Sequence, residues 1–343
     1  MLSALRNNPE MDLSRFPRYR LLDGPTAIEP LTRLNAELGG VRIYVKRDDL
    51  GSIGAGGNKL RKLEFLLGEA IAQGADTLLT VGGRQSNHAR LTAAVAAHAG
   101  LKCELVLPRV VPRDTPDYLG NGNIVLDRLF GAVIHDLPGD ADVADFVARR
   151  IDALRQADRK VYFAPAGGSS AVGSLGYADC AAEIWRQSEA MGVRFANVLA
   201  PNGSSGTHAG LAAGFVALGG PASFVKSYAV YHSAGKTREI TLEKTRETLA
   251  LIAPRSELAG SDIVVDGHQL GEGYGIPTQR MIDAVRRMAR TEGLLLDPVY
   301  SGKAFAGLLH DIAEGIYRPG ENVLFLMTGG VPGIFAYREI FDE

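Results

Sequence analysis

Residues 76–107, DTLLTVGGRQSNHARLTAAVAAHAGLKCELVL, decide the fold class. Asp76–Val81 is a short run rich in leucine and threonine that stops at two glycines, which reads as a strand. His88–His98 is alanine-rich and opens behind Ser86-Asn87, which reads as a helix with a capping signal. Cys103–Leu107 reads as a second strand. Two strands separated by one helix, all within about 30 residues, make a parallel βαβ unit. Downstream the alternation continues, with helices around Ile124–Phe130 and Val143–Gln156 and strands at Ala132–His135 and Lys160–Ala164. A second series follows, with helices at Tyr177–Met191 and His208–Leu218 and strands at Ala196–Ala200 and Phe224–Val230. Further helices are expected at Thr237–Ile252, Thr278–Thr291 and Lys303–Ala313, and a late strand at Asn322–Met327. Upstream, Leu60–Ala72 is a helical run. The expected fold class is therefore α/β, with two domains, each an open, mostly parallel, twisted sheet with helices on both faces. The stretch Pro-Ala-Gly-Gly-Ser-Ser at 165–170 separates the two series.

A chain of 343 residues agrees with two domains, and 46% hydrophobic residues suffice for their cores. A formal net charge of -2 gives no reason to expect a nucleic-acid or membrane partner. No apolar run reaches the roughly 20 residues that span a bilayer. The N-terminal MLSALRNNPEMDLSRFPRYR lacks the apolar core of a secretory signal, so a cytoplasmic protein is expected. Cys103 and Cys180 stand far apart in apolar settings and read as reduced structural thiols. No metal ligands are assigned.

In parallel sheets, ligands bind at the carboxyl ends of strands. Three expected strands are followed there by small, hydroxyl-bearing loops: Gly82–His88, Asn202–His208 and Thr328–Pro332. The second is the clearest anion site. Its glycines admit close backbone approach, Ser204, Ser205 and Thr207 add hydroxyl donors, and a following helix would aim its positive end at a phosphate. It is neither the glycine–lysine loop of nucleoside triphosphatases nor a clean dinucleotide fingerprint. A flexible turn with a helix cap remains the alternative.

Lys59 follows a glycine-rich stretch, Gly51–Asn58, and precedes a helix. Desolvated there, its amine would be a nucleophile for an aldehyde; otherwise it is a solvated lysine in a first helical turn. Ser86 could bind a carboxylate or pass a proton, and Asn87 could donate to a phenolate oxygen, or the pair simply caps the helix. His88 is either a ligand or a helix-start residue. Tyr274 and Tyr300 lie in glycine-containing loops, where an aromatic ring is as much a candidate contact as a packing residue.

Taken together, Gly56–Glu64, Gln85–Arg90, Gly203–Gly210, Gly273–Pro277 and Asp297–Lys303 resemble, in order, the motifs of one family. It is the group of 1-aminocyclopropane-1-carboxylate (ACC) deaminases and D-cysteine desulfhydrases, among the tryptophan-synthase-β-like enzymes of fold type II. These use pyridoxal 5′-phosphate (PLP). The resemblance runs from about Pro30 to Tyr337. It implies PLP in a cleft between a large domain, 1–61 plus 166–343, and a small one, 62–165. It implies that Lys59 holds PLP as a Schiff base and moves protons at the substrate's Cα. Asn87 would bond the cofactor's 3′-oxygen, and Gly203, Ser204, Ser205, Gly206 and Thr207 would hold the phosphate. Tyr300 would stack on the pyridine ring, Ser301 would face its nitrogen, and Ser86, Asn87, His88 and Tyr274 would meet the substrate.

In the ACC deaminases the residue after the stacking tyrosine is glutamate, whereas in the desulfhydrases it carries a hydroxyl, as Ser301 does. The expected reaction is therefore β-elimination, with D-cysteine giving pyruvate, ammonia and sulfide. Arg84, where an uncharged residue is expected, either binds a sulfonate or points away into a salt bridge. L-cysteate sulfo-lyase is thus the runner-up, and ACC deaminase is disfavoured. A non-catalytic PLP carrier would not need Ser86 and the tyrosines, and a nicotinamide oxidoreductase would need a glycine fingerprint that is missing. A homodimer is implied by analogy with the family.

Overall fold

A computed structural model describes residues 11–342. The reading of the N-terminus as lacking a signal falls partly on residues 1–10, outside the described residues. The strands are β1 (Ile28–Pro30), β2 (Arg42–Lys46), β3 (Thr77–Val81), β4 (Lys102–Pro108), β5 (Val133–Leu137), β6 (Val161–Ala164), β7 (Phe195–Asn202), β8 (Val225–Ala229), β9 (Val264–Asp266) and β10 (Asn322–Leu326). The helices are α1 (Thr32–Glu37), α2 (Lys59–Ala72), α3 (Asn87–His98), α4 (Pro116–Gly120), α5 (Asn123–Leu129), α6 (Val143–Gln156), α7 (Ala171–Met191), α8 (Gly206–Ala217), α9 (Ala234–Ile252), α10 (Gln279–Glu292), α11 (Ser301–Ala313) and α12 (Pro332–Ala336).

The strands form two open sheets, ordered β1-β2-β10-β7-β8-β9 and β5-β4-β3-β6. Every pairing is parallel except β1 with β2, an antiparallel edge. Side chains alternate between the faces, as the two-residue period of a strand requires. In the larger sheet Val198, Ala200, Leu324 and Leu326 enter the core under α7, α8 and α9. Their neighbours Leu199, Val323 and Phe325 enter the opposite core, against α10 and α11. In the smaller sheet Leu78, Leu105 and Leu107 face one core, and Leu79 and Val106 the other. Cys103 and Cys180 are free, buried and in different cores.

Two differences from the sequence reading have clear causes. Helix α7 begins at Ala171, not Tyr177, capped by the Ser170 hydroxyl on Gly173 N. Its first turns, Ala171–Gly176, look like loop because they hold two glycines. Those glycines are contact residues: a Cβ on Gly176 would sit 2.0 Å from the Arg61 carbonyl oxygen, so only glycine lets α7 lie against α2. Strands β1, β2 and β9 were not read at all. β2 is central in its sheet because it pairs with β10, some 280 residues later (Arg42 opposite Asn322), and local patterning carries no trace of such a partner. The expected divide between 61 and 62 falls inside α2, which runs unbroken from Lys59 to Ala72.

Candidate active site

The loops after β2, β3, β7 and β10 converge on one cavity of about 410 Å³. Lys59, Ser86, Asn87, His88, Gly203–Ser205, Thr207, Tyr274 and Tyr300 all line it. The sequence spread these residues over more than 240 positions.

Lys59 is the first residue of α2. Its Nζ donates to Asn58 Oδ1 at 3.2 Å and lies 6.0 Å from the Tyr300 ring centroid. Burial pushes the amine down to about 8; buried Asp297 opposes this and Arg90 assists it. A lysine whose amine is released this close to neutrality is far more available as a nucleophile than a solvated surface lysine.

Asn87 is held by the network behind it. Its Oδ1 accepts from Arg90 Nη1 at 3.0 Å and Asn123 Nδ2 at 3.0 Å. Two donors on the oxygen leave the Asn87 NH₂ as the end available to a ligand's oxygen. Arg90 is itself buried and also donates to Asn123 Oδ1 and to the Gly56 carbonyl. Ser86 caps α3, accepting from Ala89 N at 3.1 Å, while its hydroxyl proton stays free for a ligand. The capping reading therefore holds, and it leaves the hydroxyl proton available to a ligand. His88 Nε2 meets Thr80 Oγ1 at 2.9 Å, and Thr80 donates its proton to the Ala164 carbonyl. His88 must then donate from Nε2. Burial and two nearby lysines hold it well below the usual histidine range, so it is neutral.

The anion cradle is built as a close-fitting unit. Ser205 opens α8 in the left-handed conformation (φ 69°), a position costly for a residue with a Cβ. Ser169 Oγ bonds Ser204 Oγ at 2.7 Å and accepts from Gly206 N at 3.2 Å. A Cβ on Gly206 would lie 2.6 Å from Ser169 Oγ and 2.9 Å from Lys62 Nζ. Lys62 is buried, donates to Gly167 O and Ser169 Oγ, and is held well below the usual lysine range by burial and by Lys59. A buried lysine amine beneath glycine and serine donors at a helix N-terminus fits a phosphate. No Asp or Glu lines the cavity, although two lysines do.

Tyr274 and Tyr300 share a 2.6 Å hydrogen bond between their hydroxyls. Burial pushes the Tyr274 phenol up to about 12, so both groups work only in the protonated state near neutrality. The Tyr274 loop is anchored from below. Lys303 Nζ donates to Leu270 O and Gly273 O at 2.7 and 2.9 Å, and Tyr337 Oη donates to Gly275 O.

Two candidate residues stand off the cavity wall. Arg84 does not reach the cavity. Its guanidinium pairs with Asp136 at 2.6 Å and donates to the Leu119 carbonyl, because the loop turns it outward between α4 and β5. Ser301 does not line the cavity either. Its hydroxyl donates to Asp297 Oδ2 at 2.7 Å and accepts from Asp297 N at 2.8 Å, which closes the loop before α11. Thr328, from the third strand-end loop, lines the cavity, whereas the sequence alone assigns no site role to Lys62, Ser169, Lys244, Tyr231 or His232. Lys62 stands inside the Gly56–Glu64 motif, three residues after Lys59 on the same helix. The others carry no local signal.

Among the described residues no group of His, Cys, Asp and Glu could hold a metal ion, and no helix is long and apolar enough to cross a membrane.

A family model described as "Pyridoxal-phosphate dependent enzyme" matches residues 19–329. The 1-aminocyclopropane-1-carboxylate deaminase of Burkholderia vietnamiensis (strain G4 / LMG 22486) is 43% identical over 341 residues, spanning 97% of this chain and 100% of the relative. Its counterpart from Burkholderia multivorans (strain ATCC 17616 / 249) is 40% identical, also over 97% of this chain and 100% of its own length. A crystal structure of an ACC deaminase homologue superposes with a TM-score of 0.84 at 34% identity, covering 96% of this chain and 97% of the other. O-ureido-L-serine synthase, at 18% identity and TM-score 0.63 over 93% and 94% of the two chains, shares the fold. With a desolvated lysine amine, a held asparagine amide and a phosphate cradle around one cavity, the chain belongs to the pyridoxal-phosphate-dependent enzymes, alongside the ACC deaminase-like members, and its cofactor is PLP.

Proposed function

We propose that this enzyme is a lyase that eliminates a good leaving group from Cβ of a small amino acid, with D-cysteine as the substrate. The supporting observation is the cavity wall: it carries lysine and neutral polar groups but no carboxylate. In the ACC deaminases that the motifs resemble, a glutamate follows the stacking tyrosine and would keep the cofactor's nitrogen protonated for ring opening. Here Ser301 follows Tyr300, and its proton is committed to Asp297. Expelling sulfide needs a weaker electron sink than opening a cyclopropane ring.

Bound PLP supplies the electron sink at the substrate's Cα. The protein's residues do the rest. Lys59 would hold the cofactor, and its amine is the base placed to take the Cα proton. Ser86 and the neutral edge of α3 hold the carboxylate. Asn87 donates to the cofactor's oxygen. The Tyr274–Tyr300 pair closes the cavity against water and holds its shared proton beside the leaving group. The Cβ–S bond breaks with its electron pair on sulfur, and water completes the conversion of D-cysteine to pyruvate, ammonia and hydrogen sulfide. Arg84, tied to Asp136, no longer supports sulfonate recognition and hence L-cysteate.

ACC deamination is the second reading, favoured by relatives at 40–43% identity that are named ACC deaminases. Supplying D-cysteine, L-cysteine, L-cysteate and ACC separately, and measuring pyruvate, α-ketobutyrate, sulfide and sulfite, tests both. Pyruvate with equimolar sulfide from D-cysteine is expected. Faster α-ketobutyrate formation from ACC reverses the assignment.

The lowered Lys59 value also has a kinetic consequence. Apoprotein mixed with PLP at successive pH values takes up the cofactor faster as pH rises through about 8, because the reactive free amine replaces the ammonium there. A profile centred above pH 10 would mean a solvated lysine.

A further inference from the structure

Lys244 lies on α9 and lines the cavity. Its ammonium has no hydrogen-bond or ion-pair partner among the described residues. Its place on the helix says which end of the cavity it serves. One turn earlier, Thr241 is fully buried and donates to Ser205 Oγ at 3.0 Å, in the centre of the phosphate cradle. Ile240, also one turn away, lines the same wall. Positions 240, 241 and 244 lie on one face of a helix. At the other end of the cavity, Tyr274 has Tyr300, Tyr231 and Asp297 as its electrostatic neighbours. Lys244 instead acts on Lys62, the buried lysine beneath the cradle.

We propose that Lys244 is a phosphate-binding cation, its ammonium facing the cofactor's phosphate from the cavity wall while the buried Lys62 amine supports the cradle from beneath. The inference rests on placing the phosphate in the Ser204–Thr207 cradle. The neutral donors of the cradle fix the phosphate's position, while Lys244 offsets its charge. Without the dianion, Lys244 stands on a cavity wall that holds no Asp or Glu to pair with it. The phosphate supplies the missing anion, so cofactor affinity depends on Lys244.

The test compares two probes on apoprotein prepared by hydroxylamine resolution: PLP and pyridoxal, which lacks the phosphate. Lys244→Met and Lys244→Gln are each expected to raise the PLP dissociation constant about 10- to 100-fold, while affinity for pyridoxal stays at the wild-type level. Lys244→Arg restores most of the PLP affinity. Unchanged PLP affinity in both variants overturns the proposal. So does a rise only in KM for the amino-acid substrate, which would place the ammonium on the substrate. Equal loss for PLP and pyridoxal indicates a structural role and also overturns it. If wild-type protein takes up neither probe, the cradle assignment itself fails, and the Lys244 proposal with it.

Discussion

A Lys59→Ala variant is expected to be folded, to lack the visible absorption band of the covalently held cofactor, and to lose roughly 10³-fold or more in turnover. The side chain has two tasks, and alanine performs neither. It captures the cofactor's aldehyde, which its desolvated amine is primed to do, and it carries the substrate's Cα proton. The rest of the cavity stays in place. Lys59 makes only one hydrogen bond, to the adjacent Asn58, so its loss leaves the network on Asn58, Asn87 and Thr207 intact. PLP should therefore still bind through the cradle, showing the spectrum of the free aldehyde. Borohydride reduction followed by peptide mapping should mark residue 59 in the wild type and nothing in the variant. Undiminished pyruvate formation by the variant would falsify the assignment of Lys59.

Arg61→Ala is expected to cost about 3–5 kcal/mol of stability, read as a lower denaturant midpoint. Arg61 lies two residues after Lys59 and is buried. Its guanidinium pairs with Asp48 at 2.8 Å and Glu183 at 2.9 Å and donates to Thr26 Oγ1 at 2.9 Å. Lys46 pairs with the same Glu183, and Tyr177 Oη donates to Asp48 at 2.6 Å. Removing Arg61 leaves two buried carboxylates with Lys46 as their remaining cation. This cluster ties the first turn of α2 to β2 and α7, so part of the loss should appear as weaker cofactor capture by Lys59. Its acid sensitivity has a definite sign. Burial alone would push the Asp48 carboxyl up, but the adjacent Arg61 guanidinium and Lys46 hold it below 3.8. The stabilisation from Asp48 is complete above that unfolded value and is lost as pH falls through the lower folded one. Acid titration should therefore unfold the wild type at low pH. In Arg61→Ala, where Asp48 has lost its chief partner, unfolding should begin at higher pH.

Much of the architecture was legible because its signals are local. The stretch 76–107 shows a strand by its composition, a helix by its alanines and cap, and a second strand close behind, and the structure follows that order. Ser204, Ser205 and Thr207 between an apolar run and a helix announced an anion site because donors at a helix N-terminus are a sequence-local arrangement. Lys59 behind its glycines was visible for a similar reason. The direction of a side chain was not. Arg84 sits two residues before Ser86 and equally close to the cavity in sequence, yet the turn aims it at Asp136, and only the position of β5 puts an acid there. Ser301 likewise bonds Asp297 because of how one loop closes before α11.

By itself, then, the sequence determined the alternating parallel architecture and singled out the candidate anion loop and the candidate nucleophile. Each depends on residues within a turn or two of one another. Tertiary structure alone decided that β2 lies beside β10, that Lys244 on α9 lines the same cavity as Lys59 on α2, and which polar groups face that cavity. The physical reason is that desolvation, charge balance and close packing depend on what lies across the cavity, and those neighbours come from segments hundreds of residues apart.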